Sequence, residues 1–355
     1  MELKKFLEEY NPQLENNFLS NEERLRLIKI YDSLEDKPET FDDWLLEHTP
    51  PETIDYVFPY VDYSDPIWRK KFFKVAENFD SYLMTDKRFD GDKTLLRCIF
   101  KGIELYMPWI GIIHFIISEP SQIPEWLDQD KIHVVYHKDF IPNCFLPTFN
   151  SCTIEIFLHR VIGLSEKFIY GNDDFYPIGP MDSSDFFKKD KPVTELNYQY
   201  WKYAFHSTEN LKMAEQCTKI LKDGVRGTKH FVPHIPLSFL KSLYKSIYKE
   251  FENFIIYTIS PFRKLDNASV YFYYYVMFLR NEYEESLRGP RYRVWTGDEK
   301  SPKDLIEMLD ILDKKTVIKN YWQILVINSL QNLHKTLFLS KLLNYYNFIS
   351  KFEKR

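Results

Sequence analysis

An α/β fold with a largely parallel sheet flanked by helices is the expectation from this sequence. Three observations lead to it. Short apolar runs of strand length alternate with stretches of helical period between residues 54 and 170. The runs are bounded by turn-forming residues and are too close to fully apolar to be half-exposed strands. Polar clusters sit directly after them, at Asp62, at His137 to Asp139 and at Asn172 to Asp174, where open parallel sheets bind their ligands.

In order along the chain, residues 1–36 read as a charged amphipathic helix, from Leu3, Phe6 and Leu7 to Leu25, Leu27 and Ile28. Residues 37–52, with Pro38, Pro50, Pro51 and many acids, read as a connector. Ile54–Val61 predicts a strand and Asp62–Pro66 a turn. Pro66–Phe79 predicts a helix with proline in its first turn. Helices follow at Thr94–Tyr106 and Asn150–Ile162, and strands at Gly111–Ser118, Ile132–Tyr136 and Lys167–Tyr170. The second half is richer in helix, with candidates at Thr208–Leu221, Leu237–Phe251, Asn267–Arg280, Pro302–Leu312 and Leu333–Phe352 and one more strand at Trp322–Asn328. This divides the chain into an N-terminal helical extension (1–52), a core of alternating strands and helices (53–285) and a C-terminal helical region (286–355).

The 355 residues allow one large domain with insertions or two smaller ones around a cleft. With 44% hydrophobic and 28% charged residues, a packed core is expected. A net charge of -5 argues against a nucleic-acid partner. The 29 Phe and 25 Tyr fit either an aromatic-rich core or platforms for stacking sugars and bases. Cys98, Cys144, Cys152 and Cys217 form no CxxC pair, so neither a zinc nor a redox motif is indicated and a reduced, cytoplasmic setting fits. No signal core and no run of membrane-spanning length is visible, which leaves peripheral contact with the inner face of the cell membrane open.

Four groups of residues carry candidate chemistry. Asp62 and Asp65 close a strand and open a helix; Asp65 suits a helix cap equally well, whereas Asp62 lies where a ligand would sit. Asn172-Asp173-Asp174 ends an apolar strand, and adjacent aspartates there offer hard oxygen ligands for Mg²⁺ or Mn²⁺, the alternative being an ordinary surface turn. His234, four residues after His230, is a candidate general base or a loop histidine. Arg263 and Asp266 precede an aromatic helix: the arginine suits phosphate, the aspartate could orient the base, and a solvated pair at a helix N-terminus is the plainer reading.

These segments together resemble the Stealth family of sugar-phosphate transferases, which includes bacterial capsule and exopolysaccharide phosphotransferases and the animal GlcNAc-1-phosphotransferase. The first region is similar from Ile54-Asp55 through Val61-Asp62-Tyr63-Ser64-Asp65-Pro66 to Trp68, with Tyr60 where the family usually has Trp. The second runs from Arg88-Phe89 through Arg97, Gln122-Ile123-Pro124-Glu125-Trp126-Leu127, His137-Lys138-Asp139, Leu146 to Ser151, Glu155 and Leu158-His159-Arg160 to Asn172-Asp173-Asp174. The third is His234-Ile235-Pro236 with Phe262-Arg263 and Asp266. Lys101 replaces a usual arginine, the loop at Ser118–Ser121 is one residue longer, and Ile327-Asn328-Ser329 lacks the acid of the fourth region.

The resemblance implies a Rossmann-like, GT-A-like nucleotide-sugar transferase core with added helices. It implies transfer of a hexose-1-phosphate, such as GlcNAc-1-phosphate, from a UDP-sugar to a hydroxyl of a polysaccharide or lipid-linked glycan, with release of UMP. On that reading His234, Asp62, Arg263 and Asp266 form the catalytic set. Asp65, Arg97, Lys101, Gln122, His137, Asn150 and Asn172 bind substrate, and Asp173 and Asp174 hold the metal. Direct attack is preferred, since no nucleophile is singled out. A metal-dependent glycosyltransferase releasing UDP and a non-catalytic glycan-binding protein are the alternatives.

Overall fold

A computed structural model describes residues 1–14, 16–77, 93–194, 234–264, 266–285, 292–296, 310, 323–328 and 340–354. His230, Arg88-Phe89, Cys217, Ser329, the helix expected at Thr208–Leu221 and nearly all of that at Pro302–Leu312 lie outside them.

Residues 1–52 form three helices rather than one and a connector. α1 (Leu3–Tyr10) stops where Asn11 turns left-handed, at φ 36°. α2 (Asn21–Ser33) starts afresh at a capping box: the Glu23 backbone N–H donates to Ser20 Oγ, and the Ser20 N–H donates to the Glu23 carboxylate. α3 (Phe41–Glu47) occupies the expected connector. Phe41 and Leu45 on α3 pack with Phe6, Leu27 and Ile28, and that burial holds a seven-residue helix which its own propensity would not.

The strands follow in the order expected. β1 (Ile54–Pro59) leads through a turn to α4 (Pro66–Ala76), and α5 (Lys93–Tyr106) leads to β2 (Ile110–Ile117). β3 (His133–Tyr136) runs into the short α6 (His137–Phe140). α7 (Ser151–Glu155) is shorter than the helix expected over Asn150–Ile162, whose remainder is turn and a 3₁₀ segment at Leu158–Arg160. β4 (Lys167–Tyr170), β5 (Phe175–Pro177) and the hairpin of β6 (Phe187–Lys188) and β7 (Lys191–Thr194) come next. Leu237–Leu240, expected as helix, is instead strand β8, and α8 (Lys241–Glu250) starts immediately after it. The short α9 (Glu252–Thr258) precedes α10 (Val270–Leu279), which is apolar on all sides and accordingly buried. β9 (Glu284–Glu285), β10 (Tyr292–Thr296) and β11 (Ile324–Asn328) complete the strands. Of the helix expected at Leu333–Phe352, residues 333–339 lie outside the described residues, 340–345 are helical and the rest is irregular.

The central sheet has five strands in the order β3-β2-β1-β4-β8. The first four are parallel, and β8 is antiparallel to β4, with Leu237 opposite Tyr170. The result is a mixed α/β architecture with a parallel-dominated sheet. β11 joins β10 and β5 in a second sheet, and β6, β7 and β9 form a third.

One buried ionic knot ties the N-terminal helices to this sheet. Arg24 on α2 is fully buried and grips the Asp55 carboxylate with both terminal nitrogens, at 3.2 and 2.7 Å. The same carboxylate accepts the backbone N–H groups of Ile112 (2.8 Å) and Ser165 (2.9 Å), and His114 Nε2 stands 3.2 Å away. Burial alone would raise the Asp55 carboxyl; Arg24 and then His114 outweigh it and hold it well below the usual carboxylate range. His114 Nδ1 and His133 Nδ1 stand 2.9 Å apart. His133 Nε2 in turn meets Asp32 of α2 at 2.9 Å.

Removing one partner of such a pair strands the other charge in the interior. Arg24→Ala should therefore destabilise the fold by about 3–5 kcal/mol, read from the shift in urea midpoint at constant slope; a shift within the noise would mean that the knot does not stabilise. A second expectation concerns acid. Burial lowers His114 and His137 to about 4 and His159 to about 3, whereas in the unfolded chain they titrate near ~6.5. Between those values the unfolded chain binds more protons, so stability is complete above about pH 6.5 and falls as pH drops toward about 4. The urea midpoint measured from pH 7.5 to 4.5 should hold above about pH 6.5 and decline below it, and a flat profile would contradict the burial of neutral imidazoles.

Candidate active site

β1 leads on to β2 on one side, while β4 pairs with β1 on the other. Their shared carboxyl edge is thus the topological switch point, the usual ligand crevice of such sheets. β1 delivers Asp62 to this edge and β4 delivers Asn172, Asp173 and Asp174. Because β8 runs the opposite way, the residues preceding it, from His234, arrive at the same edge.

Gly171 makes that exit open. A Cβ there would lie 1.9 Å from the Tyr56 hydroxyl, so only glycine lets β4 pass over the buried Tyr56 ring. Beyond it Asn172 Oδ1 accepts the Asp174 backbone N–H at 3.0 Å, a side-chain turn that sets the two aspartates next to each other. His234 Nε2 stands 3.2 Å from Asp174 Oδ2, and its Nδ1 stands 3.2 Å from the Tyr271 hydroxyl on α10. The imidazole packs edge-on to Phe175. Burial pushes the Tyr271 phenol up, so it stays protonated as a donor. The imidazole is thereby aimed from both ends, and it remains partly open to solvent.

Asp62 is buried, with Oδ1 accepting from the Ser64 N–H at 2.9 Å and the Ser64 hydroxyl at 2.6 Å. Asp65 takes the cap position anticipated for it: its carboxylate accepts the N–H groups of Ile67 and Trp68 and also the Ser121 hydroxyl, at 2.7 Å. Gln122 follows Ser121 and is fully buried. The ends of β1, β2, β4 and β8 therefore converge on one rim.

Arg263 is exposed on the loop before α10 and donates to the Ser151 hydroxyl. Asn150 holds that loop: its fully buried amide reaches Ser260 O (3.1 Å), Phe262 O (3.3 Å) and Asn267 Oδ1 (2.9 Å), while its own oxygen caps α7 through the Cys152 N–H. Asn150 thus acts on the site by holding the Arg263 loop. Asp266 is exposed, and the partners that the ring of His234 meets are Asp174 and Tyr271.

Arg97 and Lys101 point to a different neighbour, the C-terminal segment. Glu353 lies 3.6 Å from Arg97 and 3.3 Å from Lys101, and Lys101 also donates to the carbonyls of Tyr346 and Phe348. The Arg97 guanidinium rests 5.0 Å over the ring of Trp126. His137 is buried in the first turn of α6.

Among the described residues no three His, Cys, Asp or Glu side chains are grouped to hold an ion. Asp173 and Asp174 still fit part of such a site. Burial and then the Asp174 charge push the Asp173 carboxyl upward, a load that a divalent cation relieves. Tyr271 and Glu155, whose carboxylate takes the Tyr170 hydroxyl (2.9 Å) and the Val270 N–H (3.2 Å) beside the site, had no assigned role in the sequence reading. The aromatic run at 270–278 was legible as a helix, but a single ring facing His234 is not marked by any spacing.

Residues 88–194 match the family model described as Stealth protein CR2, conserved region 2. A capsular polysaccharide phosphotransferase of Actinobacillus suis is 39% identical over 142 residues, 38% of this chain and 38% of that protein. The receptor polysaccharide phosphotransferase WefC of Streptococcus oralis is 31% identical over 215 residues, 57% and 62% of the two chains. The capsular polysaccharide phosphotransferase WcwK of Streptococcus pneumoniae is 27% identical over 269 residues, 65% and 79%. The match to the Actinobacillus protein thus spans well under half of that relative's length.

Proposed function

From the match of residues 88–194 to the second conserved region of Stealth proteins, we propose that the chain is a member of that family and transfers a hexose-1-phosphate from a UDP-sugar to a hydroxyl of a surface polysaccharide. The observation that carries the proposal is the placement of His234, clamped between Asp174 and Tyr271, on the same carboxyl edge as Asp62 and Asp173. A GT-A-like nucleotide-sugar core is the finer form of the parallel sheet and its switch point.

In this scheme the acceptor oxygen attacks the phosphorus that bears the hexose. The bond between the two phosphates breaks, UMP leaves, and a phosphodiester joins hexose to glycan. The attacking hydroxyl gives its proton to His234. With Asp174 fixing the proton on Nε2, the lone pair lies on Nδ1 beside the Tyr271 hydroxyl, and the acceptor would enter there. Arg263, on its tethered loop, would offset charge on the phosphate oxygens. Asp62 and Asp65 would position the donor at the start of α4. Asp173 and Asp174 would hold Mg²⁺ or Mn²⁺, which would supply positive charge to offset that of the diphosphate. The acceptor would be a polysaccharide or lipid-linked glycan met at the cytoplasmic face of the membrane.

Purified protein incubated with UDP-hexoses, divalent metal and a lipid-linked glycan extract should release UMP only when acceptor is present. Release of UDP would mean cleavage at the anomeric C–O bond and an ordinary glycosyltransferase. His234→Ala should reduce turnover by roughly 10²-fold or more, and undiminished turnover would remove His234 from the mechanism. EDTA should abolish activity and Mg²⁺ or Mn²⁺ restore it; activity indifferent to EDTA would leave Asp173 and Asp174 as donor-orienting groups instead.

A further inference from the structure

α4 is amphipathic in an unusual sense. Its inner face is Trp68 and Phe72, which pack with Phe149 and Phe262 and so fix the helix against the loop that carries Arg263. Its outer face carries Lys70, Lys71 and Lys74, with Arg69 partly exposed. Between these cations stand two large apolar side chains turned to solvent, Ile67 at 49% and Phe73 at 36% exposure. At helical spacing Lys70 and Lys74 share the centre of that face, and Ile67 and Phe73 flank them. The eleven residues of α4 contain four cations and no acid, in a chain whose net charge is -5. Two acidic side chains are described at this face, Glu119, which pairs with Lys71, and Glu77 at the C-terminal cap.

From this surface we propose that α4 docks on an anionic lipid bilayer, its lysines against the headgroups and Ile67 and Phe73 entering the interface. Clustered lysines alone would suit any polyanion, including a charged glycan. Exposed Ile67 and Phe73 on the same face select the bilayer, because they gain nothing from a soluble polyanion and much from the headgroup–acyl boundary. The helix starts at Asp65 on the rim that also bears Asp62 and Ser121. Docking through α4 therefore brings the carboxyl edge of the sheet to the membrane surface, where a lipid-linked acceptor would be presented. The surface is argued from α4 itself, so it stands or falls separately from the transfer chemistry.

The test is co-sedimentation of the full chain with vesicles of phosphatidylcholine alone and of phosphatidylcholine with phosphatidylglycerol, at low and high salt, with circular dichroism to confirm that each variant folds. The anionic vesicles should bind about tenfold more protein than the neutral ones, and salt should reverse the difference. Both Lys70→Glu/Lys74→Glu and Ile67→Ser/Phe73→Ser should lose most of that binding. Absence of binding by the wild-type chain, equal binding to neutral vesicles, or wild-type binding by the lysine variant would overturn the proposal. So would loss with the lysine variant but full retention with Ile67→Ser/Phe73→Ser, which would mark α4 as a contact for a soluble polyanion.

Discussion

The Asp55 carboxylate is the constraint around which the rest of this structure is arranged. It sits in the first half of β1 and collects donors from α2, from β2, and from the turn that feeds β4. A charge so deeply buried is tolerable only with every lone pair used. Satisfying it fixes three things together: where α2 lies on the sheet, where β2 starts, and how the chain enters β4. The His114–His133–Asp32 chain of ring nitrogens carries the same tie across β2 and β3 and back to α2. The opposite edge of the sheet inherits its geometry from this end.

At that opposite edge the design is different. The groups there are half-open and arranged in short relays, such as Asp174–His234–Tyr271, and their backbones are held from behind. Asn150 holds the Arg263 loop, Gly171 lets β4 run clear of Tyr56, and Glu155 braces Tyr170 and the first turn of α10. Rigid support behind partly exposed polar groups is what a site needs when it must meet charge that develops in a ligand rather than fill its own bonds.

Much of this was legible in the sequence, for identifiable reasons. Strands buried on both faces announce themselves as apolar runs, so β1 to β4 were placed to within two residues, and their polar ends pointed to the rim. Asp65 could be read as a cap because Pro66 follows it. The failures share a cause. α3 and the break between α1 and α2 depend on packing against Ile112 and on left-handed asparagines, neither of which shows in hydrophobic period. β8 runs without a break into α8, and only its pairing with β4 makes Leu237–Leu240 a strand. Arg97 matched a family pattern and Lys101 stands where that pattern usually has arginine, but sequence separation hid the fact that Glu353, some 250 residues away, would stand against both.

The order of strands has a bearing on modularity. β2 and β4 both belong to the segment that matches the second conserved region, yet they are not neighbours in the sheet: β1, from upstream of that segment, lies between them. The matched segment is thus smaller than the sheet it is threaded through. A fragment cut at the boundaries of the matched segment would hold β2 and β4, each with its inner row of peptide groups left without the strand that pairs both, and the carboxylate that joins them would be missing as well.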